Sequence, residues 1–84
     1  MCERRSCRLL RVPADTTTAV AAAIRSARVD AGFTQESFAQ EVGMDRSHYG
    51  AIERGEHSIT IDTLALIAAG LDTSAWKLLR RAQV

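Results

Sequence analysis

The stretch G-F-T-Q-E-S-F-A-Q-E-V-G-M-D-R-S-H-Y-G-A-I-E-R-G-E, residues 32–56, decides the fold. Thr34 precedes Gln35 and Glu36, so its hydroxyl can accept a bond from an unpaired first-turn N–H group, and Glu36 complements the helix dipole. A short helix is predicted from Gln35 to Val42, with Phe38, Ala39 and Val42 on its apolar face and Gly43 ending it. Met44 and Asp45 follow at once. Asp45 is a second good cap, for a helix from Arg46 to about Arg54 whose inward stripe is Tyr49 and Ile52 and whose stop is Gly55. Two short helices joined by a glycine-containing turn of about three residues make a helix-turn-helix.

Working outward, Asp15 and the threonines at 16 to 18 offer a cap for a first helix over about 17–31. Val20, Ala23, Ile24, Ala27, Arg28 and Ala31 recur there at helical spacing, before Gly32. Downstream, Thr60 caps a fourth helix, Ile61 to about Ala69, with Ile61, Leu64, Ile67 and Ala68 inward. Ser74 caps a fifth, Ala75 to about Ala82, carrying Trp76, Leu78 and Leu79. None of these helices is long enough to be stable alone, so each must bury its stripe against the others. The fold class is all-α, a compact five-helix domain.

Composition agrees with that class. Eighty-four residues leave room for one domain, expected over 16–84, with 1–15 a basic tail. That tail holds Arg4, Arg5, Arg8 and Arg11 and reads either as disordered or as a short strand around Arg8 to Val12. No apolar stretch approaches the ~18 residues of a membrane span, and the start lacks the apolar core of a signal peptide; a cytoplasmic protein is expected. Cys2 and Cys7 are too few for a disulfide scaffold or a four-ligand zinc site, and neither His48 nor His57 stands at a spacing that joins them. No metal and no cofactor are expected. The net charge of +1 supports nucleic-acid binding only through its placement, with a second basic cluster at Lys77, Arg80 and Arg81.

The chain from Ile24 to Leu79 resembles the Cro and lambda-repressor-like (XRE-type) DNA-binding domains. The likeness rests on the 32–56 stretch and on I-T-I-D-T-L-A-L-I-A-A-G-L-D-T-S-A-W-K-L-L at 59–79. The run R-S-H-Y-G-A-I-E-R-G-E is similar to phage-type regulators and to controller proteins of restriction–modification systems. The resemblance implies a lambda-repressor-like fold, double-stranded DNA as partner and no catalysis. Ser37 stands where the family often has Glu, so the capping box of the second helix is expected to be incomplete.

A motif of this kind aims the N-terminal end of its third helix at base edges in the major groove. Arg46 and Ser47 hold that position, and a guanidinium there matches the O6 and N7 acceptors of guanine. Gly50 and Ala51 are also expected at the bases, the first admitting a close backbone approach and the second meeting a thymine methyl. Thr34, Gln35, His48, His57 and Ser58 are expected at the DNA backbone: Thr34 mainly as cap, Gln35 at a helix terminus suited to phosphate. Glu56, in the same loop as His57 and Ser58, would repel DNA. Arg28 and Glu53 look like the family's internal ion pair, tying the first helix to the end of the third. Leu64, Leu71 and Trp76 read as core, with Trp76 and Leu79 also placed for a dimer interface.

The expected function is that of a transcriptional regulator, of repressor type, acting as a homodimer on an operator. An antitoxin-like or other protein-interaction module on the same fold is the alternative, favoured by the small charge excess and by Gly50-Ala51. An enzyme is disfavoured: two scattered histidines and no nucleophile–base spacing leave nothing from which to build a catalytic site.

Overall fold

The computed structural model describes residues 14–83; the basic tail with Cys2 and Cys7 lies outside the described residues. Within them are five helices and no strand: α1 (Ala14–Asp30), α2 (Gln35–Val42), α3 (Arg46–Glu53), α4 (Ile61–Gly70) and α5 (Ala75–Ala82). α1 packs against α5 and α3, α2 against α3 and α4, and α4 against α5.

Four of the five helices begin where their caps place them. The exception is α1, which starts at Ala14, so the threonines at 16 to 18 are helical and do not precede the helix. Five alanines between positions 14 and 23 favour helix strongly enough to carry it back. A second difference lies at α2. Thr34 Oγ1 accepts from the Ser37 N–H at 3.0 Å, and Ser37 Oγ accepts from the Thr34 N–H at 2.9 Å, so the capping box is complete. The short serine hydroxyl reaches the same backbone N–H that a glutamate would. A third is α5: Ser74 has extended cap geometry, but its hydroxyl is buried and makes no capping bond.

The turn between α2 and α3 depends on Gly43. Its φ of 74° is left-handed, a region open to glycine at little cost. In that conformation the Gly43 N–H reaches Gln40 O at 3.2 Å and the Met44 N–H reaches Ala39 O at 2.8 Å, closing the helix end. Asp45 then caps α3 through one carboxylate oxygen, which accepts from Ser47 N at 3.0 Å and His48 N at 3.2 Å.

The core gathers Val20 and Ile24 of α1, Phe38 and Ala39 of α2, Tyr49 and Ile52 of α3, Leu64, Ile67 and Ala68 of α4, and Leu78 of α5. Phe38 joins its halves, with ring centroids 5.1 Å from Phe33 and 5.3 Å from Tyr49 in tilted arrangements that aromatic pairs prefer. Two expected inward residues are outside. Ile61, the first residue of α4, is 81% exposed. Trp76 is 58% exposed, because the stripe that α5 turns inward is Ala75, Leu78, Leu79 and Ala82 and position 76 falls off it.

α2 and α4 approach closely at Gly70. A Cβ there would stand 2.5 Å from Val42 Cγ1 and 3.1 Å from two Phe38 ring carbons. Gly70→Ala is therefore expected to destabilise the domain by ~1–3 kcal/mol through overpacking, despite alanine's better helix propensity. A thermal melt followed by circular dichroism checks this; a transition at or above the parent temperature would contradict it.

Candidate nucleic-acid interface

α3 divides its surface sharply. Arg46, Ser47 and His48 at its N-terminal end are exposed, whereas Tyr49, Gly50, Ala51, Ile52 and Glu53 are all buried. The first turn therefore projects from the body while the second turn is gripped by it.

The grip is polar as well as apolar. The Glu53 side chain is 1% exposed and that of Arg28 9%. Arg28 Nε donates to Glu53 Oε2 at 2.6 Å and Nη2 donates to Oε1 at 3.2 Å, a two-point ion pair. Arg28 Nη1 donates to Phe33 O at 2.7 Å, fastening the chain just after the end of α1. Gln35 Nε2 donates to Glu53 Oε1 at 3.0 Å, and the Tyr49 hydroxyl donates to Oε2. One carboxylate thus collects donors from α1, α2 and α3. Burial pushes the Glu53 carboxyl up, but the hydrogen bonds from Arg28, Tyr49 and Gln35 outweigh it and hold it below the usual carboxylate range. The same contacts raise Arg28: its hydrogen bond to Glu53 exceeds the loss from burial. Tyr49 is held far above the ordinary phenol range, by burial first and then by Glu53.

The other expected interface residues lie on the start of α2 and in the loop after α3. Thr34 is exposed and Gln35 half-buried at the start of α2. His57 and Ser58 are exposed in the loop after α3, and the His57 ring stands edge-on to His48 with centroids 6.1 Å apart. Gly50 and Ala51 are corrections. Both are buried; Ala51 keeps 6% of its surface, and a Cβ on Gly50 would meet Arg54 Nη1 at 3.1 Å and Gln35 Oε1 at 3.7 Å. Burial withdraws the Ala51 methyl from a base, and the Arg54 guanidinium lies over the backbone at Gly50.

The links from Tyr49 and Gln35 to Glu53 are additional to the sequence reading. Tyr49 stands four residues before Glu53 on one helix, a spacing that brings side chains together. Nothing in the chain signals the Gln35 contact, which crosses 18 positions. Away from this face, Trp76 is exposed with Lys77 Nζ 5.9 Å from its ring centroid, and half-buried Leu79 lines a shallow apolar groove with Val20, Ile59, Ile61 and Leu64. Among the described residues no group of three His, Cys, Asp or Glu could hold a metal ion, and no helix is long and apolar enough to cross a membrane.

An exposed helix end held by a buried carboxylate defines a class: a helix-turn-helix domain. A helix-turn-helix family model matches residues 24–75. The chain is 40% identical over 58 residues to the control protein C.SmaI of Serratia marcescens, covering 69% of each. It is 34% identical over 65 residues to a hypothetical transcription factor of Neisseria meningitidis, covering 77% of this chain and 61% of that one. Among solved structures it is similar to the clp gene regulator ClgR of Corynebacterium glutamicum, with a TM-score of 0.78 and 28% identity over 81% of this chain and 87% of that one. It is also similar to the restriction-modification controller protein C.AhdI of Aeromonas hydrophila, with a TM-score of 0.72 and 30% identity over 79% and 98% of the two chains. The chain belongs to the helix-turn-helix family, in its XRE-type branch of DNA-binding transcriptional regulators.

Two variants test the buried cluster. Arg28→Ala is expected to lower stability by ~3–5 kcal/mol, because it leaves Glu53 charged, buried and short of its main partner. Since the Glu53 pKa is depressed on folding, its contribution is complete above the unfolded value near ~4.3 and is lost as pH falls through the folded value. Melting temperature should therefore hold near neutrality and fall below about pH 4.5, with a shallower acid limb in Glu53→Gln. An unaltered melt for Arg28→Ala, or identical acid limbs, would count against the cluster.

Proposed function

We propose that the protein is a sequence-specific, non-enzymatic regulator of transcription that acts in the cytoplasm and binds an operator as a homodimer. The observation that carries this is the division of α3, with Arg46 and Ser47 exposed at the end that helix-turn-helix domains insert into the major groove. Arg46 reads a guanine through its O6 and N7 acceptors, and Ser47 bonds a neighbouring base or phosphate. Thr34 and Gln35 at the start of α2, His48 on α3, and His57 and Ser58 in the loop after it contact the DNA backbone, where they set register and affinity. Gln35 also serves the fold through Glu53, so its loss weakens binding to all sequences and lowers stability together.

Dimerisation rests on two supports. A 9.2 kDa domain spans too few base pairs for useful specificity by itself, and Trp76 on α5 is an exposed aromatic side chain. With Trp76 and Leu79 at the interface, two copies of α3 enter successive major grooves about 34 Å apart. The relatives named as controllers of restriction–modification make that setting one to test. The protein-interaction alternative has one observation in its favour: Glu56 occupies Arg54, and buried Gly50 and Ala51 narrow the base-reading surface.

Footprinting on the DNA flanking its own gene decides between these readings. A protected, roughly palindromic site is expected; absence of any gel retardation at low salt, with a protein partner recovered instead, would favour the alternative. Arg46→Ala is expected to lose ~1–3 kcal/mol of discrimination at one base position in each half-site. Selection from a randomised operator measures this, and an unchanged base preference would remove Arg46 from the reading role.

A further inference from the structure

Arg54 has no place in the interface described so far, yet its side chain lies on the same face. Its Nη1 is beside Gly50, 3.1 Å from where a Cβ would stand, and Gln35 Oε1 is 3.7 Å from that point. The guanidinium therefore folds back over α3 toward the start of α2, where Gln35 is assigned to a phosphate. A groove of about 430 Å³ opens beside it, lined by Thr18, Ala21, Ala22, Arg25 and Ser26 of α1 and by Arg54 itself, and Arg25 is exposed. Glu53 and Asp30 also border the groove, but Glu53 is committed to Arg28 and Asp30 to Arg81 at 3.1 Å.

What holds Arg54 is Glu56. Nε donates to Oε2 at 2.8 Å and Nη2 to Oε1 at 3.2 Å, a parallel fork between side chains 56% and 54% exposed. The two oxygens of a phosphodiester accept from a guanidinium in that same forked way. We propose that Arg54 is a further ligand for DNA phosphate, and that Glu56 occupies its fork in the free protein as a carboxylate stand-in for that phosphate. Exposed ion pairs contribute little to stability, so exchanging one anion for another conserves the hydrogen bonds at small cost. A side chain at position 50 would press on the guanidinium, so Gly50 leaves Arg54 unobstructed there. The inference rests on the DNA-binding reading above, and it assigns Glu56 a role in setting affinity through Arg54, beyond simple repulsion.

A double-mutant cycle tests it, using the full chain and a mixed-sequence duplex of about 30 base pairs, since phosphate contacts do not depend on sequence. Dissociation constants are measured by fluorescence anisotropy from about 50 to 200 mM salt. Glu56→Gln is expected to bind ~3–10-fold tighter with a steeper salt dependence, and Arg54→Gln to bind weaker by a similar factor. The Arg54→Gln slope of log K against log salt should be shallower by ~0.9 per subunit. In the Arg54→Gln background the gain from Glu56→Gln should shrink to the part due to direct repulsion, because the rest acts through the residue already removed. Tightening by Glu56→Gln that persists undiminished in the Arg54→Gln background would overturn the proposal, as would an Arg54→Gln variant indistinguishable from the parent. If the parent itself binds no duplex, the DNA-binding reading fails and this inference falls with it. Unchanged melting temperatures, expected for two exposed side chains, show that the variants are folded.

Discussion

The structure turns on a carboxylate taken out of water. A buried, ionised glutamate is tolerable only where donors replace its hydration, and Glu53 receives them from Arg28, Gln35 and Tyr49. Those donors belong to three different helices, so satisfying one charge fixes the mutual placement of α1, α2 and α3. The apolar core supplies most of the stabilisation, but the hydrophobic effect has no direction, whereas a set of hydrogen bonds to two oxygens does. Arg28 extends the constraint to the backbone at Phe33, so the exit from α1 is set by the same cluster.

The exposed end of α3 gains its definition from this arrangement. An eight-residue helix has no stable direction of its own in water. Here its second turn is enclosed, its first turn is capped by Asp45, and the side chains of Arg46 and Ser47 leave the body from a fixed base. In the proposed mode this matters because base contacts discriminate only when the donor arrives in the right geometry, while phosphate contacts tolerate more freedom.

The charge on that face is restrained. Arg54 is matched by Glu56, and the carboxylate of Asp45 sits at the start of α3, so the surface is far from a continuous basic stripe. Under the proposed mode, such a surface would draw less on sequence-independent attraction and more on local contacts. The overall charge of +1 agrees with that description.

Local interactions were legible in the chain itself. Caps at Thr34, Asp45 and Thr60 act within three residues, and the glycine turn at 43 needs only a backbone that accepts positive φ; both are written in neighbouring residues. The stripe of Phe38, Tyr49, Ile52, Leu64, Ile67 and Leu78 was readable for the same reason, since helical periodicity repeats over short distances. Tertiary packing alone decided how far each stripe is covered. It left Ile61 and Trp76 in solvent, enclosed Gly50 and Ala51, brought Gln35 across 18 positions to Glu53, and demanded glycine at 70, where α2 and α4 meet. Each of these depends on where a second helix happens to lie, and sequence spacing along one helix carries no information about the surface of another.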